Sequence, residues 1–541
     1  MKKRIQPILY PSFFFLIFAF LFLWFSRIHP LIPFDADDWT YLGYIRPAVP
    51  IWGAWNPSRV FPEVALPFFS KVASYLVMPL TGDYITAQTL MHAFVVSAFT
   101  TVYLGCFACL LRRCFPISRL TASLLTALFL IFHFLAMRRE ESENQYLLYC
   151  VNLTCYYYYL LPSLINASLV MCLMNNRAMD SFLKMGNPAQ RGCFYVLVYF
   201  AIFSNLPASG ILAAYAGCVL MLDIVRRLKA HTWNRLFAEN AFYLGVLLAW
   251  LVSAVFEFNG GRSANLRGNS SLFVGLFSSC KCLARAFLNL NRIFLLAVVS
   301  ILLISGLVLI LSRGKDDSAR RLKPVAAAAA VALAAYAVYL LVLCAAVNPY
   351  CLERSEYLFG VFFFGVLLIM LALTFLICRF PKILMVLPIL TLSLASAVNT
   401  QGKTFLESYF SDLSPAVCAD ISRDLICQVQ EAARQGKMET NLLGPHVCRR
   451  SCERRQLAPN AAHNGQIARY PVCPRPDRQT DLCKHSCRSV HEYPVPYPDS
   501  GGLGSYHCKK HNHRLGDGCV FSIAAAPQSV TSASFTTSVP S

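Results

Sequence analysis

The feature that most constrains this chain is a succession of continuous apolar blocks, each about 20 residues long, several of them joined by short basic connections. A helix of that length crosses the hydrocarbon of a bilayer with every backbone group paired internally. The runs do not alternate polar with apolar residues, which excludes a closed β-barrel. Over 541 residues, 56% are hydrophobic and only 14% charged, with a mean hydropathy of +0.50. That is too little charge to cover a soluble domain, so an ordinary cytosolic enzyme, a fibrous protein and a disordered protein are excluded. The expected fold class is an all-α polytopic membrane protein with about 11 transmembrane helices.

Lys and Arg total 48 and Asp and Glu 28, a formal net charge of +20. Basic residues accumulate in the cytoplasmic loops of membrane proteins, so the excess does not imply a nucleic-acid partner. Lys2, Lys3 and Arg4 precede an apolar run from Ile8 to Phe25. It is longer than a signal-peptide core and no small-x-small cleavage site follows, so it reads as an uncleaved first helix with a cytoplasmic N-terminus.

Further spans are expected near 84–111, 117–137, 149–174, 239–258, 293–312, 324–347, 356–378 and 382–398. The stretch 193–222 is too long for one span and short for two, and Asn205-Leu-Pro207 interrupts it. The basic clusters around Arg112, Arg191, Arg227, Arg320 and Arg379 all fall on the cytoplasmic side only if 193–222 enters and leaves by the same face. A broken pair of short helices is therefore expected there. Connections 29–80, 138–148, 259–292 and 348–355 then lie outside, and outer-face loops form any chemical site. Residues Ser271–Arg292, with Lys281, Arg285 and Arg292 among apolar residues, suit an amphipathic helix lying flat in the interface.

The strongest chemical signal is Asp35-Ala-Asp37-Asp38-Trp39, directly after the first span. Three carboxylates so close repel one another, and at least one should be hard to ionise unless a cation compensates. Such a trio can take a proton from a hydroxyl or hold a divalent metal such as Mg or Mn. One aspartate alone would suffice to cap a short helix over Trp39-Thr-Tyr-Leu. In the same loop, Trp52 and Trp55 suit either a sugar ring or the membrane interface. Arg59 and Glu63, four residues apart, could pair on one helix turn, although Pro62 argues against a regular helix. Arg138, Arg139 and Glu141 end one span on the outer face, and Arg354 opens a later one beside Glu353. Guanidinium forks match phosphate oxygens, so these arginines are candidate phosphate ligands. The run Tyr156–Tyr159 reads as helix packing, and His29, His92, His133 and His231 are isolated.

Asp37-Asp38-Trp39-Thr-Tyr41-Leu, followed by Ser58-Arg59-Val-Phe-Pro-Glu63, resembles the first outer loop of bacterial integral-membrane glycosyltransferases of the GT-C superfamily. The topology of residues 1–400 fits the same resemblance. It implies transfer of a sugar from a polyprenyl-phosphate-linked donor lipid to a cell-envelope glycan acceptor on the extracytoplasmic face. Asp37 matches the acidic residue that binds or deprotonates the acceptor, Asp38 is its partner, and Asp35 is an extra carboxylate. Arg59, Glu63, Arg138, Arg139, Glu141 and Arg354 are the expected substrate-binding set. The rivals are a lipid-linked polysaccharide polymerase or ligase and a transporter or flippase. A transporter would place ionisable residues at mid-membrane, often in two related halves, and no repeat is visible.

A helical outer-face segment is expected over 401–443, with an amphipathic helix across Ser414–Lys437. Residues 444–541 are different material, patternless and rich in Cys, His, Arg and Pro. Of 22 cysteines, 9 follow residue 400. Cys448-x3-Cys452 and Cys483-x3-Cys487 allow zinc or disulfides. The abrupt loss of pattern favours a third reading, translation in a wrong frame.

Overall fold

The computed structural model describes residues 2–43, 46, 48, 56–136, 146–150, 152–174, 187–231, 236–259, 272–288, 290–311, 317–399 and 415–435. The chain divides into two compact units, 1–415 and 416–541. No strand occurs among the described residues, and nine helices there are long and apolar enough to cross a membrane.

α1 (Lys2–Leu23) ends in a π-helical turn, Trp24–Ile28. Short α2 (Ala36–Gly43) and α3 (Val60–Val72) follow, and α3 continues through a second π-turn to Thr81. The apolar helix Val60–Thr81 corrects the expectation that 29–80 is only a loop. Pro62 stands at the third helical position, where its missing N–H has no intrahelical partner to lose, so it does not prevent the helix from starting.

α4 (Tyr84–Cys114) starts at Asp83, whose carboxylate accepts from Thr86 N at 2.9 Å. α5 (Arg119–Leu135) starts at Ser118, which accepts from Thr121 N at 3.1 Å. These side chains satisfy the unpaired N–H groups of a helix start. α6 (Leu161–Leu173) is preceded by a helical turn, Leu153–Cys155, and a π-turn, Tyr156–Leu160.

The bundle has two distinguishable ends. Arg112 and Arg119 sit over the Tyr10 ring at 5.4 and 5.9 Å, so the N-terminal half of α1 shares an end with the close of α4. α6 runs parallel to α4, because His92 meets Tyr157 at 2.7 Å and the sulfurs of Cys106 and Cys172 lie 3.8 Å apart. The start of the 153–173 segment therefore lies at the end opposite Arg112.

Within 193–222, α7 (Pro188–Ile202) and α8 (Leu206–Ala230) form a hairpin. Phe194 packs on Phe242 at 5.8 Å while Arg227 pairs with Glu239, so the hairpin's two free ends share one face. That is the geometry the basic loops require, but α8 is a full-length apolar helix and not a short one. Asn205 caps it, accepting from Ala208 N at 3.0 Å, and Pro207 sits harmlessly in its first turn. Ser204 and Asn205 at the turn are buried, so this backbone is enclosed by protein.

α9 (Ala241–Asn259) leads to α10 (Leu272–Leu288). α10 buries Gly275, Ser279, Cys282 and Ala286 and leaves Phe273, Phe277 and Leu288 exposed. α11 (Arg292–Leu311), α12 (Asp317–Ala346), α13 (Ser355–Arg379) and α14 (Ile383–Asn399) complete the first unit. α10 passes from the end of α12, where Gly275 meets Ala345, to α13, where Phe287 stacks on Phe362 at 6.2 Å. In the second unit, α15 (Pro415–Arg434) occupies the expected amphipathic segment. The Cys- and His-rich stretch 444–541 lies outside the described residues.

Candidate functional site

The three aspartates occupy three different stations. Asp35 caps α2, its Oδ1 accepting from Asp37 N at 3.0 Å. Asp38 reaches back to accept from Asp35 N at 3.3 Å and from Phe34 N at 3.2 Å. This reciprocal arrangement is a capping box, with a second aspartate in the position usually held by glutamate. The other oxygen of Asp38 accepts from Thr154 N at 2.7 Å and Thr154 Oγ1 at 2.8 Å. Asp38 is completely buried and bolts the first loop to the start of the α6 segment. Burial pushes its pKa up to about 7, the neighbouring Asp35 adds to the rise, and the donors from Thr154 and Phe34 oppose it.

Asp37 is left exposed on α2. The trio consequently does not gather into a cation cage, because one carboxylate caps and another is turned inward with both oxygens engaged. Among the described residues no group of three His, Cys, Asp or Glu side chains is placed to hold a metal ion. The donor set does not fit the divalent metal that the sequence permits.

Arg59 and Glu63 do not pair with each other. Arg59 takes a left-handed backbone (φ 55°) at the start of α3, which turns its side chain to Glu257 near the end of α9. Glu63 accepts from Arg46 at 2.8 Å and from Tyr158 OH at 3.4 Å. Arg46 also donates to Ser58 O and Asn56 O, closing the loop before α3. The Tyr41 ring lies 5.3 Å from that of Tyr158.

Arg354 pairs with buried Glu356, at 2.5 and 2.8 Å, and not with Glu353, which meets Arg285 at 3.6 Å. Ser355 begins α13 between Arg354 and Glu356, and the turn there brings Glu356 back over the guanidinium. Arg354 lies over the rings of Tyr159 (5.6 Å) and Tyr357 (5.8 Å). It also reaches Cys155 Sγ at 3.5 Å. Asp38 and Arg354, far apart in sequence, thus grip consecutive residues, Thr154 and Cys155. The side chain of Arg354 remains 36% exposed, so its outer edge is open to a ligand.

Arg138, Arg139 and Glu141, with Trp52 and Trp55, lie outside the described residues. The four tyrosines face four directions, as consecutive residues of one helical turn do: Tyr156 packs on Phe25, Tyr157 on His92, Tyr158 on Tyr41 and Tyr159 on Tyr357. His92 lies between Tyr157 and Gln88 (3.1 Å), and His133 between Tyr103 (3.0 Å) and Phe129 O (2.7 Å), both as buried connectors. Arg46, Thr154, Glu257 and Glu356 are the site residues that sequence reasoning missed. Glu257 carried a signal, as the sole carboxylate in the apolar helix α9. The chain matches no known protein-family model, no characterised protein and no solved structure.

Proposed function

We propose that this chain transfers a sugar from a polyprenyl-phosphate carrier to a cell-envelope acceptor on the extracytoplasmic face. One observation supports the reading above the others. Asp38, which follows Asp37 in the first loop, and Arg354 hold consecutive residues, Thr154 and Cys155, at the bundle end opposite Arg112 and Arg119.

Asp37 is the exposed carboxylate, and Asp38 fixes the helix that carries it. In the transfer, the acceptor O–H gives its proton to Asp37 as its oxygen bonds to the anomeric carbon. The bond from that carbon to the carrier phosphate breaks, and the phosphate leaves with the electron pair. Arg354 meets the charge that develops on the phosphate, exchanging part of its pairing with Glu356. Its stacking on Tyr159 and Tyr357 holds the fork in place.

The buried polar side chains of the α7–α8 turn, Ser204 and Asn205, favour a flippase as the second reading, since polar residues enclosed in a helical bundle line substrate paths. Detergent micelles separate the two, because they have no second compartment. Purified protein in micelles should move label from a polyprenyl-phosphate sugar to envelope extract, and Asp37→Asn should abolish this while accumulating to the same level. Full transfer by Asp37→Asn, or none by the unaltered protein, overturns the proposal.

A further inference from the structure

The turn between α7 and α8 holds polar groups that the fold leaves unanswered. Asn205 is 5% exposed, and its Oδ1 accepts from Ala208 N, which fixes the orientation of the amide. Its Nδ2 is therefore a true donor, buried and without a partner. Ser253, 1% exposed, and the indole N–H of Trp250 are buried and unpartnered in the same way.

These groups adjoin one another. Leu206, next to Asn205, packs with Ala254, next to Ser253. Tyr339 donates to Leu206 O at 2.9 Å, and its ring lies 5.3 Å from that of Trp250. One turn beyond Ser253 on α9 is Glu257, the partner of Arg59. The start of α3 is tied to the same turn, since Phe61 N donates to Phe203 O at 3.1 Å.

Buried polar groups are nearly always satisfied, so several orphans around one turn indicate something that completes them. The ligand must offer acceptors to Asn205 and Trp250 and a hydroxyl-like group to Ser253. Charge narrows it further. Arg59 and Glu257 already cancel, so an added phosphate would be a buried charge with no counter-ion. A neutral polyol adds no charge, uses both donors and acceptors, and can lay its C–H face on the Trp250 ring.

We propose that the α7–α8 turn is the subsite for the neutral sugar headgroup of the lipid-linked substrate, held by Asn205, Trp250 and Ser253. The identity of that lipid rests on the sugar-transfer reading, whereas the polyol chemistry rests on the unpaired groups alone.

The test is binding without turnover. Full-length protein in phosphatidylcholine nanodiscs is titrated with polyprenyl-phosphate glucose, galactose, mannose and N-acetylglucosamine, and with the bare polyprenyl phosphate. At least one sugar-bearing carrier should bind more tightly than the bare one. The double variant Trp250→Phe/Ser253→Ala keeps an aromatic ring at position 250 and removes both unpaired polar groups. It should lose roughly tenfold for the preferred sugar carrier, from two hydrogen bonds each worth about 2- to 10-fold, with bare-carrier affinity unchanged. Asn205→Asp retains the helix cap while exchanging the free donor for an acceptor, and should erode the same preference. The proposal is overturned if the unaltered protein does not distinguish sugar-bearing from bare carriers. It is equally overturned if the double variant keeps the full preference, the result expected when water fills the turn. A protein that prefers sugar carriers yet retains transfer as Asp37→Asn would refute the catalytic assignment and leave this subsite standing.

Discussion

Asp38 carries the sharpest consequence of any single side chain. Its two oxygens accept four hydrogen bonds, from Phe34, Asp35 and, twice, Thr154. Burial still raises its pKa from 3.8 to about 7. Between those values the folded protein holds a proton that the unfolded chain has released. Stability is therefore greatest below about pH 4 for this group and falls as pH rises toward 7, by at most a few kcal/mol. Thermal unfolding at about pH 5 and about pH 8 should show a lower midpoint at the higher pH, and Asp38→Asn should flatten that difference. Equal pH sensitivity in the variant would mean that another group titrates. The capping role of one aspartate was legible, because Asp35 stands directly before a helix-forming stretch. Which aspartate turns inward was not, because it depends on Thr154, 116 residues away. The Arg59–Glu63 spacing misled for a related reason: a left-handed residue at a helix start redirects its own side chain.

The helices were the most legible part of the chain, since continuous apolar runs leave few alternatives in length or type. α4, α9, α11, α12 and α13 fall within a few residues of their expected spans. α3 is not legible, because Pro62 and the charged residues around it suggest a loop even though a first helical turn tolerates proline. Packing between helices was not legible at all, as glycines show. A Cβ on Gly275 would collide with the backbone oxygen of Ala345, whereas nothing lies within 4 Å of one on Gly245. Gly275→Ala should destabilise the fold by about 1–3 kcal/mol through overpacking of α10 on α12. Gly245→Ala should stabilise it by about 0.5–1 kcal/mol through helix propensity. Unfolding midpoints that move in the same direction for both would contradict this account of the α10–α12 contact.

The orientation of the bundle follows from which residues share an end. Asp38, Cys155 and Arg354 are together, and Tyr10, Arg112 and Arg119 are together at the other end. Basic residues favour the cytoplasmic side, so the proposed sugar transfer expects the aspartate end to face outward. An alkaline-phosphatase reporter joined after Gly43 should be active, and one joined after Cys114 inactive. The reverse pattern would place the carboxylates in the cytoplasm and remove the sugar-transfer reading. The grip on Thr154 and Cys155 has a mechanical corollary. Two clamps from remote stretches of chain close on neighbouring links of one helix, so neither can shift without tugging the other. A carrier that draws Arg354 away from Glu356 would strain the aspartate anchor across a single peptide bond, letting occupancy by one substrate be felt where the other docks.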